Sequence, residues 1–398
     1  MVTLIGMGSG KWEALSAQAQ QAVRSAGLVF GAKRLLAGLP ADCTARQFAL
    51  YQPADILETL AQNSGQDAAV LYSGDTGFYS GASGLLTPLR ALGIPARVYP
   101  GVSSIQLLSA ALGRPWQDWK LVSAHGCACD PVAECMMNRS VFFLPGGTET
   151  PASLCQKLTD AGMGEAHGVV GENLGTEAEA IRYGSAAELA GQSFAQLSVL
   201  LVENFDLPQL RAPGFPDESF IRSEVPMTKQ EVRAAALAKL AVMPTDTLWD
   251  VGAGTGSVSV ELALAAPKGR VYAVECEPDA CELIRKNRAK FHACNLILIE
   301  GRAPDVLADL PAPDAVFIGG TKGGMEAVLD EVLGKNPNAR ICISAIALET
   351  LGAAIAALTA RGLTAEVTQI AVSRTKPAGR LHLLMANNPI FLITGTRK

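Results

Sequence analysis

The chain has 398 residues, of which 49% are hydrophobic and 18% charged, with a formal net charge of −5. That length exceeds what one hydrophobic core usually supports, so two or three domains are expected, and the composition excludes global disorder. The acidic balance disfavours a protein that coats nucleic acid, while leaving local basic pockets open. Nine cysteines are scattered from Cys43 to Cys342, several of them in apolar stretches, with no secretory leader ahead of the first strand. A reduced, cytoplasmic protein is the expectation. No apolar run approaches the ~20 residues needed to span a bilayer, so no membrane role is expected.

The first segment, Val2-Thr-Leu-Ile-Gly-Met-Gly8, reads as a short apolar strand running into glycines. Helices are then predicted over 12–26, 53–64, 79–92, 103–113 and 150–162, and strands over 68–73, 96–99, 120–123, 141–144 and 197–202. Apolar strands spaced by amphipathic helices indicate α/β architecture with sheets covered on both faces. Ahead of Met227 the stretch from Asn204 to Glu218 holds three prolines (208, 213, 216) and no sustained period, so 205–226 reads as a linker between domains at 1–204 and 227–398. A second alternation follows. Helices are expected over 229–242, 257–265, 278–291, 325–334 and 348–361, strands over 247–251, 270–275, 295–300, 314–318 and 340–344, and two extended segments near 365–374 and 381–386.

The most informative segment is Asp250-Val-Gly252-Ala253-Gly254-Thr255-Gly256, where a strand ends, glycines turn the chain and a helix begins near Ser257. Glycines admit a ligand close to the backbone, and a helix N-terminus favours a negative group. Glu275 ends the next strand, roughly 20 residues on, where a carboxylate can accept ribose hydroxyls. A ligand-free glycine turn and a nicotinamide dinucleotide enzyme are the alternatives. The alternating spacing, unlike Gly-x-Gly-x-x-Gly, resembles the class I S-adenosylmethionine-dependent methyltransferases. That resemblance implies an adenine contact near Ala303, in Gly301-Arg-Ala-Pro304. Upstream, Thr228 and Glu231 read as a capping box, and Thr228 is also available to the methionine end of the cofactor.

In the N-terminal half, Gly6-Met-Gly-Ser-Gly10 follows the first strand. Its companions are Ser73-Gly74-Asp75-Thr-Gly-Phe78-Tyr-Ser80, Pro100-Gly-Val-Ser103-Ser104, Ser123-Ala-His125-Gly126 and Gly171-Glu-Asn-Leu-Gly-Thr-Glu177. Each sits at the end of an expected strand, where open α/β sheets place ligands. In this order they resemble the class III tetrapyrrole methyltransferases, which implies cofactor contacts at Gly74, Asp75, Phe78, Ser103 and Ser104. His125 admits both a chemical and a packing role.

A class III domain followed by a class I domain resembles the precorrin-6Y C5,15-methyltransferase (decarboxylating) family of cobalamin biosynthesis. The fold implied is a two-lobed class III fold joined to a Rossmann-like class I fold. The activity implied is methylation of a tetrapyrrole at C5 in the first domain, and C15 methylation with loss of the C12 acetate carboxyl in the second. One S-adenosylmethionine site per domain and homo-oligomeric association go with that family. A polycarboxylate substrate needs cations, and Lys229, Arg233, Arg302 and Lys322 are the candidates near the second site, with Lys322, in a glycine-flanked loop, first among them. No metal is expected, since Cys127-x-Cys129-x5-Cys135 lacks a second ligand pair. A methyltransferase acting on RNA or another substrate is the competing reading, disfavoured by the charge and by 6% aromatics.

Overall fold

The computed structural model describes residues 1–125 and 129–397; Gly126 and Cys127, cited above in the Ser123–Gly126 segment and the cysteine spacing, lie outside the described residues. The chain divides into two compact units. One comprises Met1–Cys129, Ser140–Gln156 and Glu165–Glu203, the other Asp130–Arg139, Lys157–Gly164 and Asn204–Lys398. Among the described residues no helix is long and apolar enough to cross a membrane.

The first unit holds two sheets. Strands β1 (Val2–Gly6), β2 (Leu28–Phe30), β3 (Arg46–Phe48), β4 (Ala68–Tyr72) and β5 (Ala96–Tyr99) form an all-parallel sheet in the order β3-β2-β4-β1-β5. Side chains alternate between its faces, as the two-residue period of a strand requires. Leu4, Leu28, Phe30 and Val70 pack on Ile56, Leu85 and Leu89 of one helical layer, whereas Ile5, Val29 and Leu71 pack on Trp12, Val23 and Leu35 of the other. The second sheet is mixed: β6 (Lys120–His125), β7 (Ser140–Gly146), β8 (His167–Glu172), β9 (Ala180–Ser185) and β10 (Ser198–Glu203), ordered β6-β7-β10-β8-β9. The Gly171–Glu177 loop stands at the end of β8, whose span is not among the expected strands, and β9 is not among them either. Gly168 serves packing: a Cβ on it would stand 2.4 Å from Leu189 Cδ1.

In the second unit, β11 (Thr247–Val251), β12 (Arg270–Glu275), β13 (Leu296–Glu300), β14 (Ala315–Ile318), β15 (Arg340–Ala345), β16 (Thr364–Ile370) and β19 (Ile390–Thr396) make one sheet ordered β13-β12-β11-β14-β15-β19-β16. The first five strands run parallel, and β19 is antiparallel to both neighbours. The expected extended segments at the end of the chain are in part a separate hairpin, β17 (Ser373–Ala378) with β18 (Leu381–Ala386), and the unforeseen β19 closes the sheet. Apolar cores cover both faces.

The stretch read as a linker is built into this unit over its second half. Phe215 and Phe220 belong to the core, and Asp217 is buried. The tie is Arg233, which is 0% exposed and therefore no substrate cation, contrary to the sequence expectation. Its Nε donates to Glu261 Oε1 at 2.7 Å and its Nη1 to Asp217 Oδ1 at 2.8 Å. Further bonds reach the carbonyls of Thr228 and Phe215, and the guanidinium lies 4.6 Å from the Phe220 ring centroid. The capping box is also not formed. Asp217 Oδ1, not Thr228, accepts from the Gln230 N–H at 2.9 Å, and Glu231 makes a bidentate pair with Arg374 instead of turning back on the helix. A charge-assisted fork outweighs a single side-chain-to-backbone bond.

Breaking one member of a buried ion network leaves the other charges uncompensated. Arg233→Met should therefore destabilise the second unit by about 3–5 kcal/mol, read as a lower transition in calorimetric unfolding. Adding Glu261→Gln and Asp217→Asn to that variant should restore part of the loss. Unchanged melting of Arg233→Met would show that the network adds no stability.

Candidate functional site

In a parallel sheet the exits of all strands lie along one edge, and that edge of the second unit gathers the predicted residues. Gly252, Gly254 and Gly256 all have positive φ (73°, 55° and 74°). Close approach is as decisive as conformation: a Cβ on Gly252 would stand 2.2 Å from the Gly320 carbonyl oxygen. The loop is pinned to the neighbouring strand by Gly252 and Ala253 N–H groups donating to the Val274 carbonyl. It is pinned again by the Gly254 N–H, which donates to Glu275 Oε2 at 2.8 Å. Glu275 Oε1 accepts from the Cys276 and Glu277 N–H groups at 2.7 and 3.0 Å. A carboxylate offers about four acceptor positions, so Glu275 keeps about one for a ligand hydroxyl. It organises the loop as well as facing the site.

Behind the loop, burial pushes the Asp250 carboxyl up to about 7, the nearby Glu275 charge adds to this, and the hydrogen bond from Ser259 Oγ opposes it. Asp250 Oδ1 and Thr255 Oγ1 are buried and find no hydrogen-bond partner in the structure. Unmet buried polar atoms are costly, and their place beside an open glycine loop fits a site whose ligand completes them. Thr228 lies in the segment that crosses the loop: a Cβ on Gly254 would be 3.3 Å from the Pro226 carbonyl oxygen. Asn287 fixes this arrangement, donating to the carbonyls of Thr255 and Ile221 and accepting from the Ile221 N–H. Ala303 is buried in the core beneath the same edge.

Two of the predicted cations converge there. Arg302 Nη2 donates to the Lys322 carbonyl oxygen at 3.2 Å. Lys322, 57% exposed at its side chain, has φ +47°, and its ammonium is clasped by Glu277 with Cys276 Sγ at 3.7 Å. Hydrogen bonding to Glu277 raises the Lys322 pKa and lowers that of Glu277. Lys322 is thus an engaged cation. Lys229 stands as the partly buried N-cap residue of helix Gln230–Leu240. Glu277, Cys276 and the Gly319–Gly320 floor were not foreseen as parts of the site; the glycine pair after an apolar strand was the available signal.

The first unit repeats the close-packed edge with other loops. A Cβ on Gly6 would stand 2.6 Å from Gly101 N and 2.7 Å from Gly74 O, and one on Gly101 would stand 2.4 Å from Gly74 O. Gly8 and Gly74 exchange N–H···O bonds, so the loops after β1 and β4 form one cradle. Asp75 ties the third loop in, its two oxygens accepting from Gly77 N–H at 2.8 Å and Gly101 N–H at 3.0 Å. Ser103 is buried at the start of helix Ser104–Leu112, where Gln106 accepts from its N–H and its hydroxyl. Phe78 packs toward the second sheet's core, 6.2 Å from the Phe142 ring. His125 ends β6 against Gly146, where an added Cβ would collide with its ring at 1.6 Å.

Comparison with known proteins follows the same division. Residues 1–190 match the tetrapyrrole (corrin/porphyrin) methylases, and residues 219–397 match the precorrin methyltransferase domain. A probable cobalt-precorrin-6B C(15)-methyltransferase (decarboxylating) of Pyrobaculum calidifontis is 46% identical over 187 residues, which is 46% of this chain and 95% of that protein. A solved structure of precorrin-6Y C5,15-methyltransferase from Geobacter metallireducens is 38% identical, covering 48% of this chain and all of that one, with a TM-score of 0.46. The precorrin-6Y C(5,15)-methyltransferase (decarboxylating) of a Sinorhizobium species is 31% identical over 338 residues, 83% of this chain and 81% of that protein. With a relative of that identity aligned through both units, the chain belongs to the precorrin-6Y C5,15-methyltransferase (decarboxylating) family.

Proposed function

We propose that the chain methylates a precorrin-6Y-type tetrapyrrole at C5 and C15 and removes the carboxyl of its C12 acetate, with one S-adenosylmethionine held at each unit's sheet edge. C5 methylation is placed in residues 1–204, and C15 methylation with decarboxylation in 227–398. The observation that carries this reading is the presence, in one chain, of two glycine cradles of different construction, each with a carboxylate stapling its loops. The relative named for C15 chemistry alone spans less than half of this chain, whereas the one named for both positions spans most of it.

When bound, S-adenosylmethionine supplies a methyl group on a sulfonium. In the second unit, Gly252–Gly256 would take it against bare backbone, Glu275 would accept a ribose hydroxyl, Ala303 would border the adenine, and Thr228 with Asp250 and Thr255 would serve its polar end. In the first unit the loops carrying Gly74, Asp75, Phe78, Ser103 and Ser104 would take the corresponding part. The meso carbon of the macrocycle is enamine-like and already nucleophilic, so the residues mainly align the partners and exclude water. Decarboxylation leaves its electron pair in the substrate's own conjugated imines. Lys322, Arg302 and Lys229 can receive its carboxylates. We place the protein in the cytoplasm, where such a soluble pathway intermediate is at hand.

Homo-oligomeric association belongs to the same reading. The β17–β18 hairpin stands outside the main sheet with Leu381 67%, Leu384 72% and Met385 51% exposed. A lone two-stranded ribbon is marginal in water, and an apolar one invites a second copy.

Three measurements test these statements. Mass spectrometry of the tetrapyrrole after incubation with S-adenosylmethionine should show two added methyl groups and one lost CO2; any other mass change overturns the assignment. Glu275→Gln replaces an acceptor of three backbone N–H groups by an amide, so S-adenosylhomocysteine affinity in the second unit should fall about 10- to 1000-fold, while C5 methylation continues. Unaltered calorimetric titration of that variant would take Glu275 out of the site. Leu381→Lys with Leu384→Lys should shift the full chain toward a single-copy mass in light scattering, and a wild-type protein that is already monomeric excludes the association.

A further inference from the structure

One cation at the edge of the first unit's parallel sheet has no part in the account above. The short helix Lys33–Leu36 starts just past the end of β2, and β2 lies beside β4, whose exit carries Ser73. Arg34 Nη2 donates to Ser73 Oγ. The helix is seated on the end of the first glycine loop. A Cβ on Gly38 would strike the Gly10 carbonyl oxygen at 2.5 Å, and one on Gly10 would lie 3.5 Å from Leu35 Cδ2 and 3.9 Å from Arg34 Nη1. Leu35 is buried underneath, so the backbone that presents Arg34 is held by the core.

The charge environment is as informative as the position. Arg24, Arg114 and Arg182 of this unit each pair with a carboxylate, Asp42, Glu203 and Glu172 respectively. No carboxylate among the described residues lies within ion-pair distance of Arg34, although partial burial disfavours its charge and lowers its pKa. A guanidinium has five N–H donors, and the Ser73 bond uses one. Asp75, the acidic residue of this edge, spends its oxygens on Gly77 and Gly101. Lys11, directly after the loop, and Lys33 are exposed and add positive potential on the same side. A guanidinium placed beside the glycine loop, with no carboxylate partner among the described residues, has donors left for a planar anion.

We propose that Arg34 binds a side-chain carboxylate of the tetrapyrrole and so sets which edge of the macrocycle meets the first unit's cradle. The inference rests on the tetrapyrrole reading above and adds the residue that selects the substrate's orientation. The chemistry recognised is a planar carboxylate on a propionate or acetate arm.

The test uses the full chain, precorrin-6Y and S-adenosylmethionine labelled with 13C at the methyl, so that NMR assigns incorporation at C5. Arg34→Gln should raise the KM for tetrapyrrole in C5 methylation about 5- to 30-fold, the range of one charge-assisted bidentate contact in part-solvated surroundings. S-adenosylhomocysteine affinity and melting temperature should stay as in the wild type, and Arg34→Lys should recover part of the KM. An unchanged KM overturns the proposal. So does a loss of S-adenosylhomocysteine affinity equal to the rise in KM, which would give Arg34 to the cofactor's carboxylate, or a fall in melting temperature shared by both variants, which would make it structural. A wild-type protein that leaves precorrin-6Y unmethylated fails at the earlier step, before any variant is compared, and removes the tetrapyrrole reading together with this one.

Discussion

A guanidinium sealed from solvent governs the second unit. Taking a charge out of water costs several kcal/mol unless partners replace the lost hydration. Arg233 meets that cost with Glu261, Asp217, two backbone carbonyls and the face of Phe220. Glu261 in turn accepts from the Gly214 and Phe215 N–H groups, and Asp217 from Gln230 N–H and Arg374. Everything between Gly214 and Thr228 is thereby fastened to the helix that leaves the glycine loop. The chain crossing Gly254 is therefore placed by the core, and the shape of the glycine loop depends on a residue sealed in the interior.

Both units bring backbone into close contact with backbone at the exit of parallel strands, with different loops. In the second, Gly252 faces Gly320 across neighbouring strands; in the first, Gly6, Gly74 and Gly101 meet three ways. Side chains would fill the space in either case. Each cradle then needs something to hold glycine-rich backbone still, because glycine loses the most conformational freedom on folding. A carboxylate does it in both, Glu275 by three N–H groups and Asp75 by two.

Much of this architecture was legible in the sequence. The apolar runs of β1, β4, β11 and β14 run into glycines and that of β12 ends in an acidic residue, and a buried parallel strand has no solvent face to interrupt its pattern. The alternating glycines, the acidic residue one strand later and the α/β alternation therefore placed these loops at strand exits. The three-residue strands β2 and β3 went unseen, and two longer ones have patterns set by tertiary packing: Gly168 in β8 yields to Leu189, and β19 joins its sheet only by long-range antiparallel pairing with β15 and β16.

What the sequence could not decide is the fate of each charge. Lys, Arg, Asp and Glu look alike along the chain whether they face water, a substrate or one another. Folding sent Arg233 into the interior, gave Lys322 to Glu277, took Glu231 from its helix cap to Arg374, and left Arg34 without a carboxylate among the described residues. Those outcomes depend on Coulomb interactions between residues 16 to 143 positions apart, which fall steeply with distance and dielectric. Strand period and glycine spacing are local properties and so can be read directly; charge pairing is set by three-dimensional proximity, which exists only once the chain has folded.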